Sequence, residues 1–288
     1  MYGAIIGDIC GSRYEGISNH HLYGEWELFP SGCRVTDDTI MTVAIAEAIM
    51  NTAEDEDELK KSFVSEMVKW ARKYPRAGYG GRFKKWFREE EHEPYHSFGN
   101  GSAMRVSPCA LVATSLDEAL QFAKLSAEVT HDHPEGIKGA QAIAACIYMA
   151  KTGSSKEDIK VYVQEHFYPL EKSIWLYEKE GARGCTCMVT VPIAIQAFLE
   201  STDFEDAIRK AISVGGDTDT DAAMAGSIAW SYYKHANGGT ITMEMDCMME
   251  MAKELIPEEL QAVIDRFEEN KETLADAEVR STVSLTRS

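Results

Sequence analysis

Two short acidic stretches carry the chemistry this sequence can do. Val214-Gly215-Gly216-Asp217-Thr218-Asp219-Thr220-Asp221 sets three carboxylates at alternate positions, interleaved with hydroxyls, between a glycine pair and the apolar run Ala222 to Trp230. Thr36-Asp37-Asp38-Thr39 stands in the same way before the apolar run Ile40 to Met50. Carboxylates this close repel one another, and burying them is costly unless positive charge compensates. No Lys or Arg lies between Lys210 and Lys234, so a neighbouring side chain does not supply that charge. A hard divalent cation with oxygen ligands can. An EF-hand loop starting at Asp217 is excluded, because Ala222 and Ile228 stand where Gly and Glu are needed. Helix capping competes as the explanation of Asp37 and Asp38. One Asp suffices for a cap, however, and two acidic starts on two buried helices ask for more.

A third stretch, Phe98-Gly99-Asn100-Gly101-Ser102-Ala103-Met104-Arg105, is a glycine-rich turn entering a helix. Its backbone amides suit an anion such as phosphate, although a plain turn has the same composition. In Thr130-His131-Asp132-His133, His131 is expected to touch a ligand or orient a loop, and His133 to be peripheral. Histidines two apart can bind a soft metal, but the oxygen-rich stretches favour a hard one. Cys185-Thr186-Cys187 matches no common zinc spacing and is read as structural.

The elements that must position these residues are helical. Small residues at close spacing mark a helix over Tyr2–Gly11 able to lie tightly on a neighbour. A loop containing His20, His21, Gly24, Pro30 and Gly32 then runs to about Val35 and is long enough for a lid or binding loop. Helical periodicity predicts further segments at Asp55 to about Tyr74, Arg82–Glu91, Val106–Thr114, Leu116–Glu128, Gly136–Lys151, Lys156–His166 and Pro169–Glu180. Others follow at Met188–Leu199, at Phe204–Val214, from the acidic loop through Trp230, in a Met-rich segment to Met251, and at Glu258 to about Leu274. Val279 to Ser288 is expected to be a mobile tail. No alternating strand pattern exceeds a few residues, so the predicted class is all-α with one core, residues 1–288 forming a single domain.

Composition narrows the function classes. A net charge of −18, from 47 acidic against 29 basic residues, argues against binding nucleic-acid backbones or anionic membranes. Seven cysteines without a CxxC pair predict a reducing compartment. With no basic n-region at Met1 to Asp8 and no long apolar run, the expectation is a cytoplasmic monomer.

Gly7-Asp8 with Gly11 and Glu15, Thr36-Asp37-Asp38-Thr39, Gly99 to Arg105, Thr130-His131 and Gly215 to Thr220 occur in the order found in ADP-ribosylglycohydrolases. The chain resembles that family over roughly Tyr2 to Tyr233. The resemblance implies a single compact orthogonal helical domain of the ADP-ribosylglycohydrolase type with two divalent cations, Mg²⁺ or Mn²⁺. It also implies hydrolysis of the glycosidic bond at the distal ribose of an ADP-ribosylated protein or small-molecule conjugate. Thr36, Asp37 and Asp38 would then ligate one side of the cation pair, and Asp217, Asp219 and Thr220 the other, with Asp219 bridging. Gly99, Asn100, Gly101 and Ser102 would cradle the diphosphate, with Phe98 near adenine or ribose and His131 along the groove.

Glu15 falls where some members carry a mobile catalytic or gating glutamate, which leans toward O-linked substrates. Glu15, Asp37, Asp38 and Asp219 would form the catalytic set. On that resemblance the acidic residues would hold cations that supply Lewis acidity toward ribose hydroxyls and water, the carboxylates would stabilise oxocarbenium-like charge, and Glu15 or one of the metal-bound aspartates would move the proton. Asp221 departs from the family, which usually has an apolar residue there, and is read as a helix cap. Two rival readings follow from the same residues: a non-catalytic ADP-ribose binder, and another metal-dependent hydrolase such as a nucleotide phosphatase.

Overall fold

The computed structural model describes residues 1–16, 26–52, 55–181 and 184–285, with side chains to residue 274. The histidines and Gly24 of the expected loop, His20 and His21 among them, lie outside the described residues. So do the last three residues of the expected tail.

The frame is built on one close helix pair. Helix α1 (Tyr2–Gly11) is buried along its whole length and makes its most extensive contact with α13 (Thr218–Ala236). Gly3, Gly7 and Gly11 recur every fourth residue, so they share one face of α1. A Cβ on any of them would run into the α13 backbone, at Gly226, Ala222 and Thr218 respectively. The stripe therefore lets two backbones approach as side chains would forbid, and Thr218 Oγ1 adds a hydrogen bond of 2.8 Å to the Gly11 carbonyl. This pair carries the acidic turn of α13 to the end of α1.

The other described helices surround it: α2 (Asp37–Asn51), α3 (Glu56–Lys73), α4 (Gly81–Trp86), α5 (Gly101–Met104), α6 (Ser107–Val112), α7 (Leu116–Glu128), α8 (Pro134–Lys151), α9 (Lys156–His166), α10 (Ile174–Glu180), α11 (Cys187–Glu200), α12 (Phe204–Ser213), α14 (Met243–Lys253) and α15 (Glu258–Leu285). Helices α8, α11 and α12 enclose the remaining faces of α13, while α2 lies between α3 and α15. Buried Ala, Ile and Val on nearly every side of α2, α11 and α13 explain why these helices lack an amphipathic face. No strand is present among the described residues; the all-α expectation holds.

Some boundaries differ from the sequence reading, each for a local reason. Helix α4 stops at Trp86 instead of reaching Glu91, because Arg72 takes the carbonyls of Phe87 and Glu89. Helix α10 starts after Ser173, whose hydroxyl accepts from the Leu176 amide, so Pro169 to Lys172 lies outside the helix. The expected helix over Val106–Thr114 is the six-residue α6, preceded by the separate four-residue turn α5. The last helix continues to Leu285, through a stretch without Gly or Pro, where a mobile tail was expected.

Candidate active site

The site starts from a carboxylate inside α1. Asp8 is 0% exposed and accepts four hydrogen bonds, from the amides of Thr36 and Thr39 at 3.0 and 3.1 Å and from both hydroxyls, that of Thr36 at 2.6 Å. These bonds lock α1 to the start of α2. Thr36 is the cap of α2, its Oγ1 accepting from the Asp38 amide at 3.3 Å. The carboxylates of Asp37 and Asp38 are thus not spent on capping. Asp37 stands at the cleft wall, its amide bonded to the Ala77 carbonyl at 3.1 Å. Gly78, at φ +126°, fits so closely that an added Cβ would lie 2.5 Å from Asp37 Oδ1. Gly78→Ala is therefore expected to displace Asp37 and to strain the loop by about 1–3 kcal/mol. A fall in turnover exceeding the fall in melting temperature, measured on the purified variant, is the expected signature.

Opposite α2, Gly215 and Gly216 both take positive φ, 78° and 84°, and turn the chain into α13. Asp217 occupies the N-cap position without making a capping bond; its Oδ2 instead accepts from Asn100 Nδ2 at 2.8 Å. Thr220 Oγ1 donates to Asp38 Oδ2 at 3.2 Å and so joins the two acidic helix starts. Carboxylate oxygens of Asp8, Asp38 and Asp219 all lie within 4.8 Å of one another, as do those of Glu15, Asp217 and Asp219. Asp219 belongs to both groups.

Burial first, and then the neighbouring carboxylates, push these acids up. Asp37 is raised to about 7, and Asp38 and Asp219 stand well above the carboxylate range. Asp38 Oδ1 is buried with no hydrogen-bond partner. An oxygen-only donor set with unneutralised charge and an orphaned oxygen fits hard divalent cations. Thr36 gives its hydroxyl proton to Asp8 and accepts from the Asp38 amide, which leaves one lone pair of its oxygen uncommitted.

These acids line a cleft of about 310 Å³, with Glu15, Asp37, Asp38, Asp217, Asp219 and Thr220 in its lining beside Gly99, Asn100, Gly101, Tyr79, Tyr95 and His131. The glycine turn is held by an antiparallel bridge between Gly99 and Thr186, with Asn100 N bonded to Cys185 O at 3.0 Å and Cys187 N to Phe98 O at 3.1 Å. Cys187 is buried and its thiol donates to Gly99 O, a structural role as expected. Cys185 differs: it lines the cleft, and partial burial and then Asp217 push its thiol up to about 11. Gly99 N is engaged by Ser97 Oγ at 3.2 Å.

Ser102 is buried and its hydroxyl donates to Gly136 O, away from the cleft. Phe98 is 43% exposed and lies edge-on to His133 outside the cleft lining. His133 caps α8. A wider groove of about 940 Å³, lined by Lys60, Lys69, Arg72, Val68 and Ile137, lies elsewhere. Its lysines pair with Glu128, Glu47 and Glu66, and it gathers no set of convergent acids.

Asp221 corrects the sequence reading. It sits four residues past the N-cap, is 0% exposed, and both carboxylate oxygens lack a hydrogen-bond partner. It cannot be a cap, because only its own amide takes part in the turn, bonded to Asp217 O. Burial pushes its carboxyl well up. Asp8 was missed as a site residue, although a lone acid inside an apolar ten-residue helix was a usable signal. Tyr79, Tyr95 and Cys185 had no local signal.

With this geometry in view, comparison with known proteins is decisive. The sequence model of the ADP-ribosylglycohydrolase family matches residues 1–237. The chain belongs to the ADP-ribosylglycohydrolase family. It is 28% identical over 308 residues to ADP-ribosylhydrolase ARH3 of Mus musculus, covering 81% of this chain and 82% of that one. To the ADP-ribosylarginine hydrolase Tri1 of Pseudomonas putida it is 26% identical over 269 residues, covering 81% of this chain and 69% of that one. A solved ADP-ribosylglycohydrolase-related protein complex shares the fold, with TM-score 0.67 at 24% identity over 97% of this chain and 95% of the other. This ADP-ribosylglycohydrolase is thus an enzyme of the ADP-ribosyl hydrolase class, and its acidic clusters could bind metal. Among its described residues no helix is long and apolar enough to cross a membrane.

Proposed function

We infer that the protein is a divalent-cation-dependent glycosidase that cuts the bond at the distal ribose of ADP-ribosylated substrates and releases ADP-ribose. The observation that carries this reading is the pair of carboxylate groups sharing Asp219 in a cleft that a glycine turn also lines. Thr36, Asp37 and Asp38 on α2 and Asp217, Asp219 and Thr220 on α13 would hold two cations, Mg²⁺ or Mn²⁺. Bound there, such ions supply positive charge and Lewis acidity.

The chain's own groups do the rest. The amide of Gly101 and the His131 ring receive the diphosphate, since the Gly99 and Asn100 amides are already engaged and Ser102 is buried outside the cleft lining. That anchoring places the distal ribose over Asp38 and Asp219. Their negative charge stabilises the oxocarbenium-like carbon as the bond breaks. Glu15 is exposed at the mouth, within reach of Asp217 and Asp219, and is placed to pass a proton between water and the leaving group. Relatives named for ADP-ribosyl hydrolysis support the substrate class, and the arginine linkage named for Tri1 is one candidate bond.

Incubation with arginine-, serine- and O-acetyl-linked ADP-ribose conjugates, with products separated by chromatography, tests the reading. Free ADP-ribose is expected from at least one conjugate; AMP or phosphate as the product would refute it.

The raised acids also set a pH dependence. Asp37 ionises near 3.9 in an unfolded chain but at about 7 in the fold. Between those values the unfolded chain binds fewer protons, so metal-free stability falls as pH rises through the window. Melting temperatures in EDTA should decline from about pH 4 to 7, where the two pKa values bracket the loss. Mg²⁺ or Mn²⁺ should remove most of the decline, because the ionised form is then the one stabilised.

A further inference from the structure

Beneath the glycine turn lies a cation that the reaction scheme above does not use. Arg105 is 1% exposed, and its guanidinium donates to Gly101 O at 2.9 Å, Ser126 O at 2.8 Å and Thr130 Oγ1 at 2.8 Å. Its Nε has no partner, and no carboxylate among the described residues forms an ion pair with it. A buried guanidinium satisfied only by neutral oxygens keeps an uncompensated charge, which is costly unless it serves something. Thr130, fully buried, continues the chain: its Oγ1 lies 2.7 Å from His131 Nδ1. The opposite side of that ring faces the turn, with Nε2 standing 3.2 Å from where a Gly101 Cβ would be and 3.6 Å from a Gly99 Cβ.

We propose that Arg105 and Thr130 are positioning residues that fix His131 with its proton on Nε2, so that the ring presents a hydrogen-bond donor to an anionic, diphosphate-bearing ligand at the turn. Arginine is an obligate donor, so Thr130 Oγ1 must accept from it. The Tyr95 side chain also bonds the Thr130 side chain; with the phenol donating to the second lone pair of Oγ1, the hydroxyl proton goes to Nδ1, which accepts it 2.7 Å away. The opposite tautomer would aim the positive end of the Nδ1–H dipole at that same charge and expose a bare Nε2 lone pair to the ligand's negative oxygens. Charge–dipole attraction in a desolvated site favours the first arrangement. Burial and the charges of Arg105 and Arg82 hold the imidazole well below its usual pKa, so the ring is neutral and its tautomer decides what it offers. The same uncompensated charge, attached to the turn through Gly101 O, attracts a diphosphate without touching it.

The inference rests on the proposed diphosphate position, and its test separates the two. Ring-nitrogen NMR of the ligand-free, ¹⁵N-histidine-labelled protein should show His131 protonated at Nε2, with that preference lost in Thr130→Val and restored in Thr130→Ser. ADP-ribose affinity, measured by calorimetry, should fall about tenfold in Thr130→Val, the scale of one hydrogen bond to a charged acceptor, with KM rising alike and kcat within about twofold. Proton on Nδ1 in the unsubstituted protein would overturn the relay whatever binds. An intact relay in a protein that does not bind ADP-ribose would instead overturn the ligand's placement. If Thr130→Val does not fold, the spectrum of the unsubstituted chain and the affinity of Thr130→Ser still decide.

Discussion

Asp219→Asn is expected to lower ADP-ribose release by roughly 10³-fold, the scale seen when one preorganised electrostatic group is lost. Asp219 is the only acid shared by the two carboxylate groups, so its loss weakens both. The same substitution should raise the melting temperature of the metal-free protein. Burial and then Asp217, Asp8 and Glu15 hold the Asp219 carboxyl well up, so a neutral amide of the same shape removes repulsion rather than support. Activity and stability therefore move in opposite directions. A purely structural Asp219 would lose both together, and calorimetry beside a turnover assay separates the cases.

Gly7→Ala should be the most damaging small substitution in the fold. The added Cβ meets the Ala222 carbonyl and the Ala223 amide, both α13 backbone, which cannot swing aside as a side chain would. The two helices must separate, costing about 3 kcal/mol or more, at the upper end for overpacked interiors. Asp8 lies next to Gly7, so the shift would also pull its four hydrogen bonds from Thr36 and Thr39. Denaturant unfolding should show the loss, with turnover falling further than the folded fraction explains. Gly80→Ala, where a Cβ meets nothing within 4 Å, is the control, and its stability should change little.

What the sequence made legible was whatever is written locally. The glycine stripe of α1, the two acidic helix starts and the apolar runs behind them are patterns of neighbouring residues; the stripe packs α1 on α13, and the acidic starts meet in the lining of one cleft. The caps were less legible. Thr36, rather than either aspartate, caps α2, because its hydroxyl alone reaches the Asp38 amide while also bonding Asp8. Asp221 resembles a cap in sequence, yet helix phase turns it inward to a place with no donor. Contacts between distant segments left no local trace. The closeness of Gly78 to Asp37 and the pairing of Gly99 with Thr186 arise only when the chain folds. Arg105 looked like an ordinary polar residue after a turn, and its burial follows from the enclosure by α7 and the turn after it, where Ser126 and Thr130 receive it.

The central claim is that release of ADP-ribose depends on divalent cations held between α2 and α13. It is tested most directly by stripping the protein with EDTA, restoring Mg²⁺ or Mn²⁺ stepwise, and measuring ADP-ribose released from a conjugate the untreated enzyme cleaves. The account predicts no release from the stripped protein, saturable recovery as cation returns, and no recovery in Asp219→Asn. Undiminished release in excess EDTA would contradict it.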